Sequence, residues 1–190
     1  DRMQLLEVIP GEKTSDDCLA RALDFAKRIG KIPILAGDKR GFYASRVFAT
    51  YIDEGMAMLK EGIAPALIEN AGRLAGFPVG PLAVLDEVSL ELSHNIRGQQ
   101  RRDEGDAYVP YISDDVMDLM VARLGRKGRK AGAGFYDYPE DGPKRLWPGL
   151  ADHFPVSDDQ PDVEELKRRL LYVQSVDTVR CLDEHVLSDP

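Results

Sequence analysis

A chain of 190 residues can bury one sizeable core or two small ones, and 43% hydrophobic with 31% charged residues is an ordinary globular composition. Its formal net charge of -8, with a pI near 5.0, argues against nucleic acid or an anionic membrane surface as the main partner. No apolar run approaches the ~20 residues needed to span a bilayer, and no signal peptide is visible. The two cysteines, Cys18 and Cys181, are no disulfide framework and read as reduced thiols of a cytoplasmic protein.

Met3 to Ile9 reads as a short strand stopped by Pro10-Gly11, with the carboxylate of Glu7 inside an otherwise apolar run. Thr14-Ser15-Asp16-Asp17 supplies a helix start, because hydroxyls accept from orphan amides and acids suit the positive helix end. Leu19, Ala22, Leu23, Ala26 and Ile29 give that helix one apolar face, and Gly30 ends it. Ile32 to Ala36 reads as a second strand whose Pro33 marks a strand start or a sheet edge. Residues 1–38 thus spell strand, helix, strand, the tail of a larger α/β sheet.

After Asp38 nearly everything reads as helix. Ser45 to Gly62 is apolar almost all round, and a second helix runs from Pro65 to Gly76. A third opens at Pro81, with Leu85, Val88, Leu92 and Ile96 as its expected buried stripe, before a polar loop or helix end over 98–112. Ser113, with Asp114 and Asp115, is expected to cap the next helix, through Leu124. Glycines at 125, 128, 132 and 134 then block helix, and Phe135-Tyr136 reads as a docking strand. Residues 139–161, rich in proline and acids and carrying Trp147, read as a linker. Asp162 starts a last helix through Leu187.

An internal repeat joins the two long helices. Arg46 to Ile63 aligns with Arg169 to Val186, 123 residues on, matching Phe48 with Leu171, Glu54 with Asp177, Leu59 with Leu182 and Glu61 with Glu184. Glu54 and Asp177 read as ion-pair partners inside their own helices. The repeat predicts a second copy of the helical domain beginning near 160. Because Asp1 is not an initiator methionine, the chain reads as part of something longer.

Four phrases in this order resemble the 3-hydroxyacyl-CoA dehydrogenase family: Met3-Gln4-Leu5-Leu6-Glu7-Val8, Gly41-Phe42-Tyr43-Ala44-Ser45-Arg46, Gly76-Phe77-Pro78-Val79-Gly80-Pro81 and Gly132-Ala133-Gly134-Phe135-Tyr136. The tandem helical repeat resembles the multifunctional fatty-acid oxidation proteins, which also carry an enoyl-CoA hydratase domain. The resemblance implies a mainly α fold: a helical C-terminal domain of the 6-phosphogluconate dehydrogenase C-terminal-like type, preceded by the strand-helix-strand tail of a Rossmann domain. It implies domain bounds of 1–38 for the dinucleotide-binding tail, 39–138 for the first helical domain, 139–161 for the linker and 162–190 for the start of a second repeat.

The resemblance also implies oxidation of L-3-hydroxyacyl-CoA to 3-ketoacyl-CoA in β-oxidation, with NAD as the hydride acceptor. The family's catalytic glutamate falls on Glu7. Its partner histidine and the glycine-rich dinucleotide loop fall before Asp1. The family's asparagine near the substrate carbonyl falls on Ser45, a shorter donor, and the lysine near the cofactor falls on Lys130. The implied partners are an acyl-CoA substrate and either a homo-oligomer or intramolecular pairing of helical repeats. No nucleic acid, membrane span or metal is expected, since His94, His153 and His185 lack ligand spacing. Two other readings stay open: a helical assembly module with a vestigial site, supported by Ser45, and a dehydrogenase of similar plan acting on a sugar acid.

Overall fold

The computed structural model describes residues 3–187, so the ends of the expected 1–38 and 162–190 segments lie outside the described residues. Two compact units are formed, one from residues 1–50 with 174–190 and one from 51–173. Helices α2 (Ala44–Lys60) and α8 (Val163–Asp183) contribute to both.

In the first unit, β1 (Leu5–Val8) pairs in parallel with β2 (Ile32–Leu35), Glu7 opposite Ile34. The crossover is α1 (Asp16–Arg28), whose Ser15 caps it by accepting from the Cys18 amide; Ala26 is its buried residue. Gly30 leaves the helix at φ +74°, a left-handed turn that costs glycine nothing. Past α8 the chain returns to this sheet: Ala36 bridges Leu187, and the Gly37 amide donates to the Val186 carbonyl at 2.8 Å. Cys181, Val186 and Leu187 form a small core there with Ile34, Tyr43 and Leu182.

The second unit is helical around Met56, Met58, Leu59, Ile68, Leu82, Leu85 and Met120, all fully buried. Helix α3 (Pro65–Leu74) and α4 (Pro81–Val88) both open on proline, where the missing N–H is no loss. Two features let α2 approach α4 closely. Gly55 lies against Pro81, whose ring carbons sit 2.5 and 2.6 Å from where a Cβ would be. Tyr51 stacks on Phe77 and donates to the Val79 carbonyl. Gly55→Ala is expected to destabilise the protein by about 2 kcal/mol, because a proline ring cannot swing aside. Thermal denaturation of the full-length variant reads that loss.

Several sequence expectations are corrected here. The stripe Leu85, Val88, Leu92 and Ile96 is not one helix. Ser89 breaks it at φ +93° and caps a separate α5 (Leu90–Glu104) by accepting from the Leu92 amide. Leu85 is buried, whereas Leu92 and Ile96 are over half exposed. Of the segment 98–112, read as a polar loop or helix end, residues 98–104 are the end of α5. Ser113 does not cap the short α6 (Asp114–Met117). Its hydroxyl donates instead to Asp53, which also takes both bonds from the end of Arg97. Arg97 in turn lies 3.7 Å from the Tyr111 ring centroid and 3.5 Å from Asp114 Oδ1. A π-helical turn, Asp118–Arg123, follows α6.

The segment read as a linker is structured. It carries β4 (Arg145–Leu146), antiparallel to β3 (Tyr136–Asp137), then α7 (Leu150–His153) with buried Leu150 and Phe154. Trp147 anchors it beneath the Arg126 guanidinium, 4.1 Å from the ring centroid. Gln160 then ties the chain to Gly62 and Ala64.

Glu54 and Asp177 do not pair inside their own helices. In the second unit Arg169 of α8 binds Glu54 at 2.6 Å and Glu61 at 2.6 and 2.9 Å. In the first, Arg46 of α2 binds Asp177 at 3.1 Å and Glu184 at 2.5 Å. Each arginine takes the acids eight and fifteen places beyond its counterpart in the other helix. The repeat is therefore also a repeat of ion-pair partners. Both carboxylates raise the Arg46 pKa, the Glu184 hydrogen bond most, and Arg46 lowers that of Glu184.

Candidate active site

The entrance to α2 is built by a turn that most residues avoid. Gly41 has φ +79° and Phe42 φ +46°, a left-handed pair in which the non-glycine member is strained. The Phe42 amide closes the turn on the Lys39 carbonyl at 3.0 Å. The next two amides, Tyr43 and Ala44, point away from any helical partner, as first-turn amides must. Both donate to a single oxygen of Glu7, Oε1, at 2.8 and 3.1 Å. A carboxylate suits that place twice over, as an acceptor for orphan N–H groups and as a negative charge at the positive helix end.

Among the described residues nothing hydrogen-bonds to Glu7 Oε2. Two buried acids of the second unit use both oxygens. Glu69 caps α4 with Oε1, accepting from Leu82 and Ala83 at 2.8 and 3.2 Å, and takes the Tyr136 hydroxyl on Oε2. Asp86 accepts from the Phe135 amide on one oxygen and from the Tyr136 amide and Tyr138 hydroxyl on the other. Glu69 and Asp86 are spent on structure. Glu7 is half-buried and keeps an oxygen in hand.

Ser45 follows in the first turn of α2 with its side chain exposed. The fold thus brings Glu7 and the Ser45 turn together, although they lie 38 residues apart in sequence. Lys130 belongs to the other unit, exposed in the 3-10 turn Arg129–Ala131. The glycines around it have a packing reason. A Cβ on Gly128 would lie 2.8 Å from the Asp86 carbonyl, and one on Gly134 would overlap the Asp86 carboxylate. Arg126 of the same loop is committed to the Gly134 and Tyr136 carbonyls and to Asp137.

No group of three or more His, Cys, Asp or Glu among the described residues could hold a metal ion. His94 pairs with Asp118, and His153 packs against Trp147. The helix after β1 opens on Asp16 and Asp17, which repel an anion. No helix among the described residues is long and apolar enough to cross a membrane. Sequence reasoning missed the bracing of the α2 entrance by α8. Its signal was present in the matched positions 46, 54 and 61 and 169, 177 and 184.

Comparison with known proteins gives the family of the chain. The family model described as 3-hydroxyacyl-CoA dehydrogenase, C-terminal domain, matches residues 41–138, and its NAD binding domain model matches residues 1–39. The fatty acid oxidation complex subunit alpha of Shewanella loihica is 34% identical over the whole chain, which covers 27% of that protein. The chain therefore spans about a quarter of the length of the curated relatives it matches. The dehydrogenase part of multifunctional enzyme 1 from C. elegans superposes with a TM-score of 0.71 at 25% identity, over 98% of this chain and 43% of that one. The (S)-3-hydroxybutyryl-CoA dehydrogenase of Ralstonia eutropha gives 0.63 at 33% identity, over 73% and 49%.

Proposed function

This chain belongs to the 3-hydroxyacyl-CoA dehydrogenase family, and from that premise we propose that it forms the proton-handling and substrate-facing part of an L-3-hydroxyacyl-CoA dehydrogenase within a longer, multifunctional fatty-acid oxidation protein. The reaction is oxidation of the 3-hydroxyl of an acyl-CoA to a ketone. NAD, when bound by the rest of the dinucleotide domain, supplies the hydride acceptor.

Glu7 is the catalytic residue of this chain. Its Oε1 stays on the Tyr43 and Ala44 amides, and its Oε2 accepts the N–H of the family's histidine. That bond sets the imidazole tautomer and stabilises the cation formed when the ring takes the hydroxyl proton. Ser45 donates its hydroxyl to the substrate carbonyl, and Lys130 is assigned to cofactor binding. A carboxylate anchored at the α2 entrance through Oε1, with no partner on Oε2 among the described residues, is the observation that carries this reading.

The parent protein is assigned to the cytoplasm, as an oligomer or with its helical repeats paired within one chain. Its domains divide at 1–38, 39–138 and 162–190, with 139–161 between the repeats. Ser45→Ala in the full-length protein is expected to lower kcat/KM for acetoacetyl-CoA by about tenfold, the worth of one neutral hydrogen bond. The NADH dissociation constant stays unchanged. A kcat/KM equal to that of the parent protein would remove Ser45 from the site.

A further inference from the structure

The residues flanking Ser45 are held from two directions. Glu7 takes the amides before it. Among the described residues, the other side-chain hydrogen bonds that reach residues 43, 46 and 47 from outside α2 come from the second half of α8 and from Glu184 just past it. Arg46, the next residue, binds Asp177 and Glu184. Tyr43 reaches Thr178 at 3.3 Å, and the Val47 carbonyl accepts from Gln174 at 3.1 Å. The direction of the Tyr43 bond follows from the proton count. The Thr178 hydroxyl spends its proton on the Gln174 carbonyl at 2.9 Å, so the phenol donates.

These contacts are made inside one compact unit; the Arg46–Glu184 pair is exposed, whereas the Arg46–Asp177 pair is part-buried. Asp177 is 6% exposed, and the thiol of buried Cys181 faces its second oxygen at 4.0 Å. The chain after α8 is itself bound to the sheet through Val186 and Leu187. The strained Phe42 turn persists because its surroundings over-determine it. Here those surroundings are a strand residue on one side and α8 on the other.

We infer that the second half of α8 is a positioning element for the substrate contact of the first helical domain, with Asp177 and Thr178 acting through Arg46 and Tyr43 to set where the Ser45 hydroxyl points. The inference rests on the proposed role of Ser45. Asp177 and Thr178 touch no substrate. They work by holding the backbone on both sides of a residue that does, where a small misplacement is costly. The first helix of the second repeat thereby completes the site of the first.

The test is a mutant cycle in the full-length protein, with acetoacetyl-CoA and NADH as the probe pair. Asp177→Asn keeps the size of the side chain and removes the charge. Thr178→Val keeps the shape and removes the acceptor, so one variant carries the test if the other does not fold. Each is expected to lower kcat/KM for acetoacetyl-CoA about fivefold or more while leaving the NADH dissociation constant within about twofold. In a Ser45→Ala background each is expected to have no further effect, because its target is gone. A merely structural role would give the same loss in both backgrounds. That additive result, or full activity of both single variants beside an impaired Ser45→Ala, overturns the inference alone. A fully active Ser45→Ala overturns the substrate-contact reading and the inference with it.

Discussion

Glu7→Gln in the full-length protein is expected to lower turnover of acetoacetyl-CoA with NADH by about 100-fold, with a melting temperature within about 2 °C of the parent. The two halves of this expectation come from the two oxygens. A glutamine keeps a carbonyl oxygen for the Tyr43 and Ala44 amides, and the opposite amide orientation would set N–H against N–H. The α2 cap therefore survives. The other end becomes an NH2 group, which cannot accept from an imidazole. Glu7→Ala removes both functions and adds a capping loss of about 1 kcal/mol. A Glu7 that served as a cap alone, as Glu69 caps α4, would give a fully active Glu7→Gln.

Asp86→Ala is expected to cost about 3–5 kcal/mol. It strands the Phe135 and Tyr136 amides and the Tyr138 hydroxyl inside the second unit. Asp86→Asn is milder, since it keeps one acceptor oxygen and sets an NH2 group against a backbone N–H. The carboxyl also titrates. Burial pushes it up to about 6, against the pull of its three donors and of Arg126. A native value above the unfolded one means that the folded state holds its proton while the unfolded chain has lost it. The contribution of Asp86 is therefore largest below about pH 4, declines as pH rises to about 6, and is level above that. Asp86→Asn has no such group. Denaturant midpoints between pH 4 and 7 should show the parent's advantage over Asp86→Asn shrinking by about 2–3 kcal/mol across that window. An advantage that grows with pH would contradict the assignment.

What the sequence revealed, it revealed locally. Pro10-Gly11, the Ser15 cap and Gly30 bound β1 and α1, and Pro65 and Pro81 open their helices, because each acts within a turn of its own position. The helical period ran unbroken through Leu85, Val88, Leu92 and Ile96, yet the helix stops at Ser89. Periodicity counts side chains and is blind to one backbone angle. Ser113 looked like a cap because nothing nearby competes for its hydroxyl; Asp53, sixty residues earlier, takes it.

The candidate site was half legible. The phrases around Glu7 and Ser45 carried the family pattern, but the bond between strand and helix entrance spans 36 and 37 residues and has no local signature. The repeat displayed matched charges at 46, 54 and 61. It could not show that the partners are exchanged between helices, since pairing within a helix has the same composition. The short hairpin of β3 and β4 was hidden by the prolines of its connection.

The claim on which the rest depends is that Glu7 Oε2 holds an imidazole that takes the substrate proton. The pH dependence of kcat/KM for 3-hydroxybutyryl-CoA oxidation by the full-length protein tests it most directly. A carboxylate partner raises the imidazole pKa, so the base loses its proton later and the acid limb lies at higher pH. Glu7→Gln is expected to move that limb down by about one pH unit while lowering the plateau. A lowered plateau with the limb unmoved would show that Glu7 does not touch the base.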